Sequence, residues 1–507
     1  MNQNSLNNVG DWFDYIFSNF ASRIALNFEE EEVKITYKEL KKKVDQVICK
    51  FLDLDCKKGD ICVIFNDKSM LGFASIIACI YLGIIFVNLD NESPKDRLEK
   101  IFQKCKPKFL INFSCQKETI SKLKIKFKTI CIENFNFDFK NQNSFAKYKK
   151  PNLQSPLYLM FTSGSTGFPK GAIISHGNLI NFVEWSKARF DINEFDKFTN
   201  INPIYFDNSI FDLFVCFLSG ACLIPFKPKV VSDPINLLRI VSKAKCTIWF
   251  SVPSFLVYLI RLRILDMKYF HSIRMILFGG EGFPKKHLKT LYEKTNKKII
   301  LENVYGPTEC TCICSSHRII ESDFLNMKDF APLGKLADSY KYYIDPIDQL
   351  NTKRGELILF GPCVGLGYYN EKEISKKSFI NHSKFNAIGY KTGDIVEINN
   401  KGNIFFVSRK DYQIKNMGYR IELGEIESIS NNISGVHESA AIYQEKGDGL
   451  GIIKLYLSCE SNLREYDIKN ILESKLPKYM LPKFIKVIEE IPKNANGKID
   501  RKSLKNL

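Results

Sequence analysis

LYLMFTSGSTGFPKGAIIS, residues 157–175, is the stretch on which the fold turns. Its first five residues are apolar or aromatic and match a buried strand, which runs directly into a loop of small and hydroxylated side chains. Thr162, Ser163, Gly164, Ser165, Thr166 and Gly167 carry little bulk, so backbone N–H groups and hydroxyls can approach a polyphosphate closely. Lys170 adds a mobile positive charge. The loop is not a Walker loop, because the Gly-Lys-Ser/Thr ending is missing. A flexible linker is the plain alternative, but linkers rarely stand between a buried strand and a second β-rich run such as 172–175.

Outward from this point, β-branched and aromatic runs at 61–65, 84–89, 109–113, 221–225, 247–252 and 275–278 alternate with helical patterns, the signature of βαβ units. Residues 70–87 (MLGFASIIACIYLGIIFV) are uncharged and long enough to mimic a membrane span. Gly83 divides them into a buried helix, 70–82, and a strand, 84–89, so no membrane insertion is expected. The polar stretch 134–152 reads as a surface loop. Near residue 390 the texture changes: 395–398, a turn at 399–402 and 404–407 form a hairpin, followed by a short polar link at 408–410. The remainder predicts a helix at 424–430, strands at 440–444 and 451–457, a helix at 463–474 and a strand at 484–488. The expected architecture is α/β: a large N-terminal multi-sheet body, 1–408, and a small mobile C-terminal α+β domain, 409–507.

The 507 residues are 45% apolar and 25% charged, which excludes a disordered or fibrous chain and permits a large core. A formal charge of +17 favours acidic partners, but the basic residues are spread along the chain. The densest cluster, 122–128, alternates with apolar residues and reads as a solvated amphipathic face, so nucleic acid is not the expected partner. Fifteen cysteines, an odd number without a CxxC pair, indicate reduced thiols. Cys310, Cys312 and Cys314 would point one way along a strand but sit roughly 7 Å apart per step, too far to share a zinc ion, so a core strand is expected there and no metal cluster. The N-terminus lacks the basic start, apolar core and cleavage site of a signal peptide, and the expected compartment is the cytoplasm.

The loop TSGSTGFPKG, 162–171, resembles the phosphate loop of the adenylate-forming superfamily, which comprises acyl-CoA synthetases, luciferases and peptide-synthetase adenylation domains. Further motifs follow in the family's order: NVYGPTE at 303–309, GELILFGPCVGLGYYN at 355–370, YKTGD at 390–394, SRKDYQIKNMGYRIELGEIE at 408–427 and NGKIDR at 496–501. The resemblance covers essentially the whole chain. It implies attack of a carboxylate on the α-phosphorus of ATP, expelling pyrophosphate and leaving an acyl-adenylate. Joining two anions calls for positioning and positive charge, supplied by Lys, Mg²⁺ and N–H donors, rather than for a nucleophilic side chain.

By that resemblance Tyr305 stacks on adenine, Thr308 contacts the α-phosphate and Glu309 holds Mg²⁺, with Gly280, Glu281, Asn303 and Gly306 completing the nucleotide site. The Gly306-Pro307 turn gives Thr308 and Glu309 a fixed exit from their strand. Asp394 resembles the ribose ligand, assisted by Arg409, and Asp411 matches the hinge. Lys498 resembles the adenylation lysine, bridging substrate carboxylate and nucleotide, and the loop from Lys415 to Gly418 resembles the segment that replaces Lys498 after domain rotation for thioester formation.

FDNSIFDLF, 206–214, bears on which acid is activated. Asp207 aligns with the aspartate that peptide-synthetase adenylation domains and D-alanine carrier-protein ligases use for the substrate ammonium; its plain alternative is a helix N-cap. Asn208, Phe211, Phe250, Ile276, Phe278, Val304, Cys312 and Ile313 resemble the side-chain pocket, and three Phe residues in it imply a small uncharged amino acid such as alanine, serine or glycine. D-alanine ligases typically carry Cys before a Gly-Glu pair, whereas Gly279 stands before Gly280-Glu281 here, which leaves the enantiomer open. The chain stops after the terminal lysine motif and has no HH dipeptide or GxSxG, so the expectation is a free-standing enzyme that loads phosphopantetheine on a separate, acidic carrier protein. A coenzyme A ligase for a non-amino acid is the alternative.

Overall fold

The computed structural model describes residues 6–90, 92–112, 128–131, 150–164, 168–295, 297–327, 330–348, 351–383, 385–445, 451–460, 463–493 and 499–506. Two mostly parallel sheets make the body. In the first, the strands run in the order Lys128–Cys131, Phe109–Asn112, Ile61–Phe65, Ile85–Asn88, Pro156–Thr162, Lys170–Ser175. Only its last pair is antiparallel, and that pair flanks the expected phosphate loop. The second is nine-stranded, with Ile300–Tyr305, Met275–Gly279, Ile248–Ser251, Lys197–Asn200 and Cys222–Pro225 at its centre. Such strands are buried on both faces, as their unbroken apolar runs require. A five-stranded antiparallel sheet containing Arg354–Phe360, Ala387–Ile398 and Ile404–Arg409 closes the body.

The apolar run at 70–87 divides as its glycine predicts. Ser69 caps the helix Met70–Leu82 by accepting from the Gly72 amide, and Gly83 ends it in a left-handed turn at φ 63°. The helix is buried on nearly every side, and among the described residues no helix is long and apolar enough to cross a membrane. The cysteine run departs from expectation. Cys310 ends a 3-10 turn, Thr308–Cys310, Cys312 is left-handed, and the strand begins only at Ser315, so the three are not in an extended strand. All three are buried, and no metal-binding group of three or more side chains exists among the described residues. The polar link also shifts, because Ser408 and Arg409 belong to the strand Ile404–Arg409. The stretches 132–149 and 113–127, with most of the expected surface loop and the basic cluster, lie outside the described residues.

The smaller C-terminal domain is built on the strands Val436–Glu445, Gly451–Cys459 and Phe484–Val487. One face buries Ala441, Ile453, Leu455 and Leu457 against Ile421 and Ile426; the other buries Ala440, Ile442 and Tyr456 against Ile491 and Leu504. The first face carries the hairpin Gln413–Asn416 and Tyr419–Glu422, while the second carries the flanks of the terminal lysine motif. The period-two alternation of strand side chains thus puts two functional candidates on opposite sides of one small sheet.

Candidate active site

The strand Ile300–Tyr305 leads into the turn that assembles the centre of the cleft. A Cβ on Gly306 would lie 2.2 Å from the Cys312 carbonyl, so only glycine lets the chain double back there. Thr311 and Cys312 follow at φ 59° and 74°, conformations that cost non-glycine residues on the order of 1 kcal/mol or more. The Cys314 amide then returns to the Tyr305 carbonyl at 2.8 Å. This tight loop turns Thr308 and Glu309 inward, and both are buried.

The Thr308 hydroxyl donates to Asp207 Oδ2 at 2.6 Å. Asp207 precedes the short helix Asn208–Ile210, but its backbone is helical and its side chain makes no capping bond, so the N-cap alternative fails. Burial pushes the Asp207 carboxyl above its usual range, opposed by the Thr308 hydrogen bond. Glu309 accepts from the Tyr368 hydroxyl at 2.6 Å and from Arg420 at 3.1 and 2.8 Å. Burial acts to raise its carboxyl, but Arg420 and Tyr368 outweigh that and hold it below the usual range. Neither Tyr368 nor Arg420 stood out in the sequence, although both lie inside motifs that did.

A second cluster links the expected nucleotide residues to the expected hinge. Asp394 accepts from the Tyr305 hydroxyl at 2.6 Å and from Arg409 at 2.8 Å. Arg409 also forks onto Asp411, at 2.9 and 2.7 Å, so one guanidinium joins the expected ribose acid to the expected hinge acid. Gly393 is left-handed at φ 70°, and a Cβ there would lie 2.7 Å from the Arg409 guanidinium.

The hairpin of the small domain occupies this cleft. Lys415 sets its ammonium 5.5 Å from the Tyr305 ring centroid, and burial lowers its proton affinity against the pull of Asp394. The Gly418 amide donates to Glu281 at 3.2 Å, and Glu281 also accepts from the Ser254 amide at 2.7 Å. Met417 and Gly418 form the hairpin tip at φ 52° and 80°. Ser163 donates to the Arg420 carbonyl at 2.7 Å, and the Gly164 amide to Glu425 at 3.3 Å. Arg97 completes a buried interdomain ion pair with Glu425 at 2.8 Å. Lys170 lies 5.9 Å from the ring of Tyr368, the tyrosine that donates to Glu309.

Thr162 ends its strand at the loop, and Asn303 donates to the Pro332 carbonyl at 2.7 Å. Ser165, Thr166, Gly167 and Lys498 lie outside the described residues. The flanks of Lys498 pair with each other, Lys493 with Ile499, and Arg501 binds Glu427 and covers the Tyr412 ring.

The expected side-chain pocket needs correction at two positions. Phe211, Phe250, Val304, Cys312 and Ile313 share one core, with the Phe211 and Phe250 rings edge to face at 5.3 Å. Ile276 and Phe278 belong to the opposite core, where Phe278 packs on Phe283. The strand Met275–Gly279 alternates, and the side chain beside Phe250 is that of its cross-strand partner, Leu277. A Cβ at Gly279 would meet the Val304 carbonyl at 2.4 Å, which explains glycine there. Asn208 sits across from Gly280, whose left-handed φ of 92° suits glycine.

The family model for AMP-binding enzymes matches residues 13–369, and that for the AMP-binding enzyme C-terminal domain matches residues 425–498. A D-alanine–D-alanyl carrier protein ligase of Bacillus licheniformis is 31% identical, covering 95% of this chain and 96% of that protein. Tyrocidine synthase 3 of Brevibacillus parabrevis is 29% identical over 93% of this chain, which spans only 7% of that much longer protein. The solved structure of an artificially fused adenylation–PCP di-domain from Klebsiella oxytoca, NpsA-ThdA, shares the fold at a TM-score of 0.84 with 22% identity, covering 95% of this chain and 94% of that one.

Proposed function

Because this chain belongs to the AMP-binding enzyme family, whose members are ATP-dependent, AMP-forming ligases, we propose that it couples an amino acid to AMP with release of pyrophosphate and then passes the aminoacyl group to the phosphopantetheine thiol of a separate carrier protein. The observation that carries this reading is the 2.6 Å hydrogen bond from Thr308 to Asp207. It puts a carboxylate suited to an ammonium group beside the hydroxyl assigned to the α-phosphate. An α-amino acid carries its ammonium and carboxylate on one carbon, so their two receptors must be neighbours. A fatty acid would bring no ammonium to Asp207 and leave its buried charge held by the Thr308 hydroxyl without a cationic ligand.

In the first step a substrate carboxylate oxygen bonds to the α-phosphorus as the bond to pyrophosphate breaks. The phosphate loop and Lys170 hold the polyphosphate, Tyr305 meets adenine, Asp394 and Arg409 hold the ribose, and Lys498 bridges carboxylate and nucleotide. Glu309 with Thr308 fits Mg²⁺, because a single buried carboxylate beside a hydroxyl suits an ion that keeps waters and phosphate oxygens as its other ligands. When bound there, Mg²⁺ supplies positive charge to the phosphates. Arg420 must leave Glu309 for that step.

The arrangement with the 413–422 hairpin in the cleft suits the second step. Because the hairpin and the flanks of Lys498 lie on opposite faces of the small sheet, one rotation about Asp411 exchanges them. Phe211, Phe250, Leu277 and Val304 are buried in one core beside Asp207, and a substrate side chain admitted among them would be small and uncharged. The similarity to a carrier protein ligase supports the carrier as acceptor, and a net charge of +17 suits an acidic one.

ATP–pyrophosphate exchange across all amino acids in both enantiomers tests the reading. Alanine, serine or glycine should stimulate exchange, and Asp207→Ala should reduce it by about a hundredfold, as loss of a buried charge-assisted contact does. Exchange driven by a fatty or aryl acid and indifferent to Asp207→Ala would establish a coenzyme A ligase instead.

A further inference from the structure

Behind the pocket wall lies a buried polar network that neither step uses. Phe211–Val215 form a π-helical turn, a distortion that recurs at functional sites. Its first residue, Phe211, borders the pocket; its second, Asp212, is completely buried. Asp212 Oδ2 accepts from the side-chain amides of Asn200 and Asn202, each at 3.1 Å. The same Asn202 nitrogen donates to the Phe250 carbonyl at 3.0 Å. One carboxylate oxygen therefore ties the turn that carries Phe211 to the strand that carries Phe250. Asp212 Oδ1 accepts no hydrogen bond from the described residues.

Lys68 supports this tie from the other large sheet. It follows the strand Ile61–Phe65 in a left-handed conformation, φ 62°, and is buried. Its ammonium donates to the carbonyls of Asn200 at 2.7 Å, Phe226 at 2.9 Å and Ile201 at 3.4 Å, gathering the ends of two adjacent parallel strands. Burial drives the Asp212 carboxyl up and the Lys68 ammonium down, and the attraction between them opposes both shifts. Two desolvated charges without direct contact are a poor source of stability, since apolar residues of similar volume serve as well or better. Their placement is informative for that reason.

Resting on the proposed function, we infer that Asp212 is a positioning residue for the amino-acid pocket: with Asn200, Asn202 and Lys68 it fixes the spacing of Phe211 from Phe250 and so limits the side chain admitted. Asp212→Ala and Asn202→Ala should each raise KM for the preferred amino acid by about tenfold and bring larger side chains, such as valine and leucine, to within about threefold of it, because a displaced anchor misplaces bound substrate. KM for ATP and the midpoint of thermal unfolding should change far less. Asp212→Asn keeps an oxygen acceptor for both amides and leaves the Lys68 contacts in place, and should retain the parental selectivity that Asp212→Ala loses. Unchanged selectivity in Asp212→Ala and Asn202→Ala, or loss of amino-acid binding, ATP binding and stability in parallel, would overturn the inference; if Asp212→Ala does not fold, Asn202→Ala decides. A parent enzyme that no amino acid stimulates would defeat the proposed function, and the inference with it, before any variant is compared.

Discussion

Arg420 of the small domain donates to both carboxylate oxygens of Glu309 in the large one, at 3.1 and 2.8 Å, so a cation from the small domain sits on the acid proposed to hold Mg²⁺. Glu309 is fully buried and Arg420 largely so. On the proposed function, Arg420 and the metal are alternative partners of Glu309, one for each step. Arg420→Ala is expected to slow aminoacyl transfer to a carrier thiol by about a hundredfold, since breaking a buried ion pair costs on the order of 3 kcal/mol, while exchange stays within about threefold. Separate assays of the two half-reactions check this; an equal loss in both would place Arg420 in the first step.

Gly418 gives the complementary case. Its φ is 80°, and a Cβ there would lie 2.5 Å from Val252 Cγ1, so the hairpin tip can enter the cleft only as glycine. Gly418→Ala should lower transfer at least about tenfold, as local misplacement in a catalytic constellation does, and spare exchange. Lys498→Ala should do the reverse, abolishing exchange while leaving transfer from a supplied aminoacyl-adenylate. If both variants damage the same step, two alternating arrangements do not operate.

How far the site was legible depended on the kind of constraint. Strands such as Ile61–Phe65 and the helix Met70–Leu82 declare themselves through local pattern, a capping serine and a terminal glycine. Asp394, Tyr305 and Arg409 stand in recognisable motifs, and the structure brings them into direct contact. Arg420, Tyr368 and Asp212 were not legible, because their partners are 111, 59 and about a dozen residues away and only the packed chain brings them together. Cys310–Cys314 misled because alternating cysteines resemble a strand, whereas Thr311 and Cys312 are left-handed. The pocket failed by a single residue of register, which reverses every side chain on a strand.

That register error has a direct test. Leu277 is buried beside Phe250, whereas Ile276 is buried in the opposite core. Leu277→Ala should enlarge the pocket and shift exchange toward larger amino acids by about tenfold, within the 1–3 kcal/mol that a methylene or two confers on specificity. Ile276→Ala should cost about 2–5 kcal/mol of stability as a core truncation, with side-chain preference unchanged. Preference shifting with Ile276 rather than Leu277 would restore the original assignment.

His176 predicts how the body responds to acid. It is fully buried at the start of the helix His176–Phe190, and its Nδ1 accepts from the Val9 amide at 3.2 Å, so the imidazole must be neutral to hold the N-terminal helix in place. Burial, aided by the nearby Lys58 charge, holds its pKa down to about 3. An unfolded histidine takes its proton near pH 6.5, so between that value and about 3 the unfolded chain binds the extra proton, and stability falls as pH falls through this window. Lowering the pH from 7 to 5 should therefore remove about 2 kcal/mol through this side chain alone, at 1.36 kcal/mol per unit below 6.5. His176→Asn keeps an acceptor near Val9 and removes the titration; any packing cost it carries is the same at both pH values. The first urea-unfolding transition, measured at pH 7 and pH 5, should move less in the variant than in the parent by that amount. An identical shift in both proteins would assign the acid sensitivity to the carboxylates, with the imidazole contributing nothing.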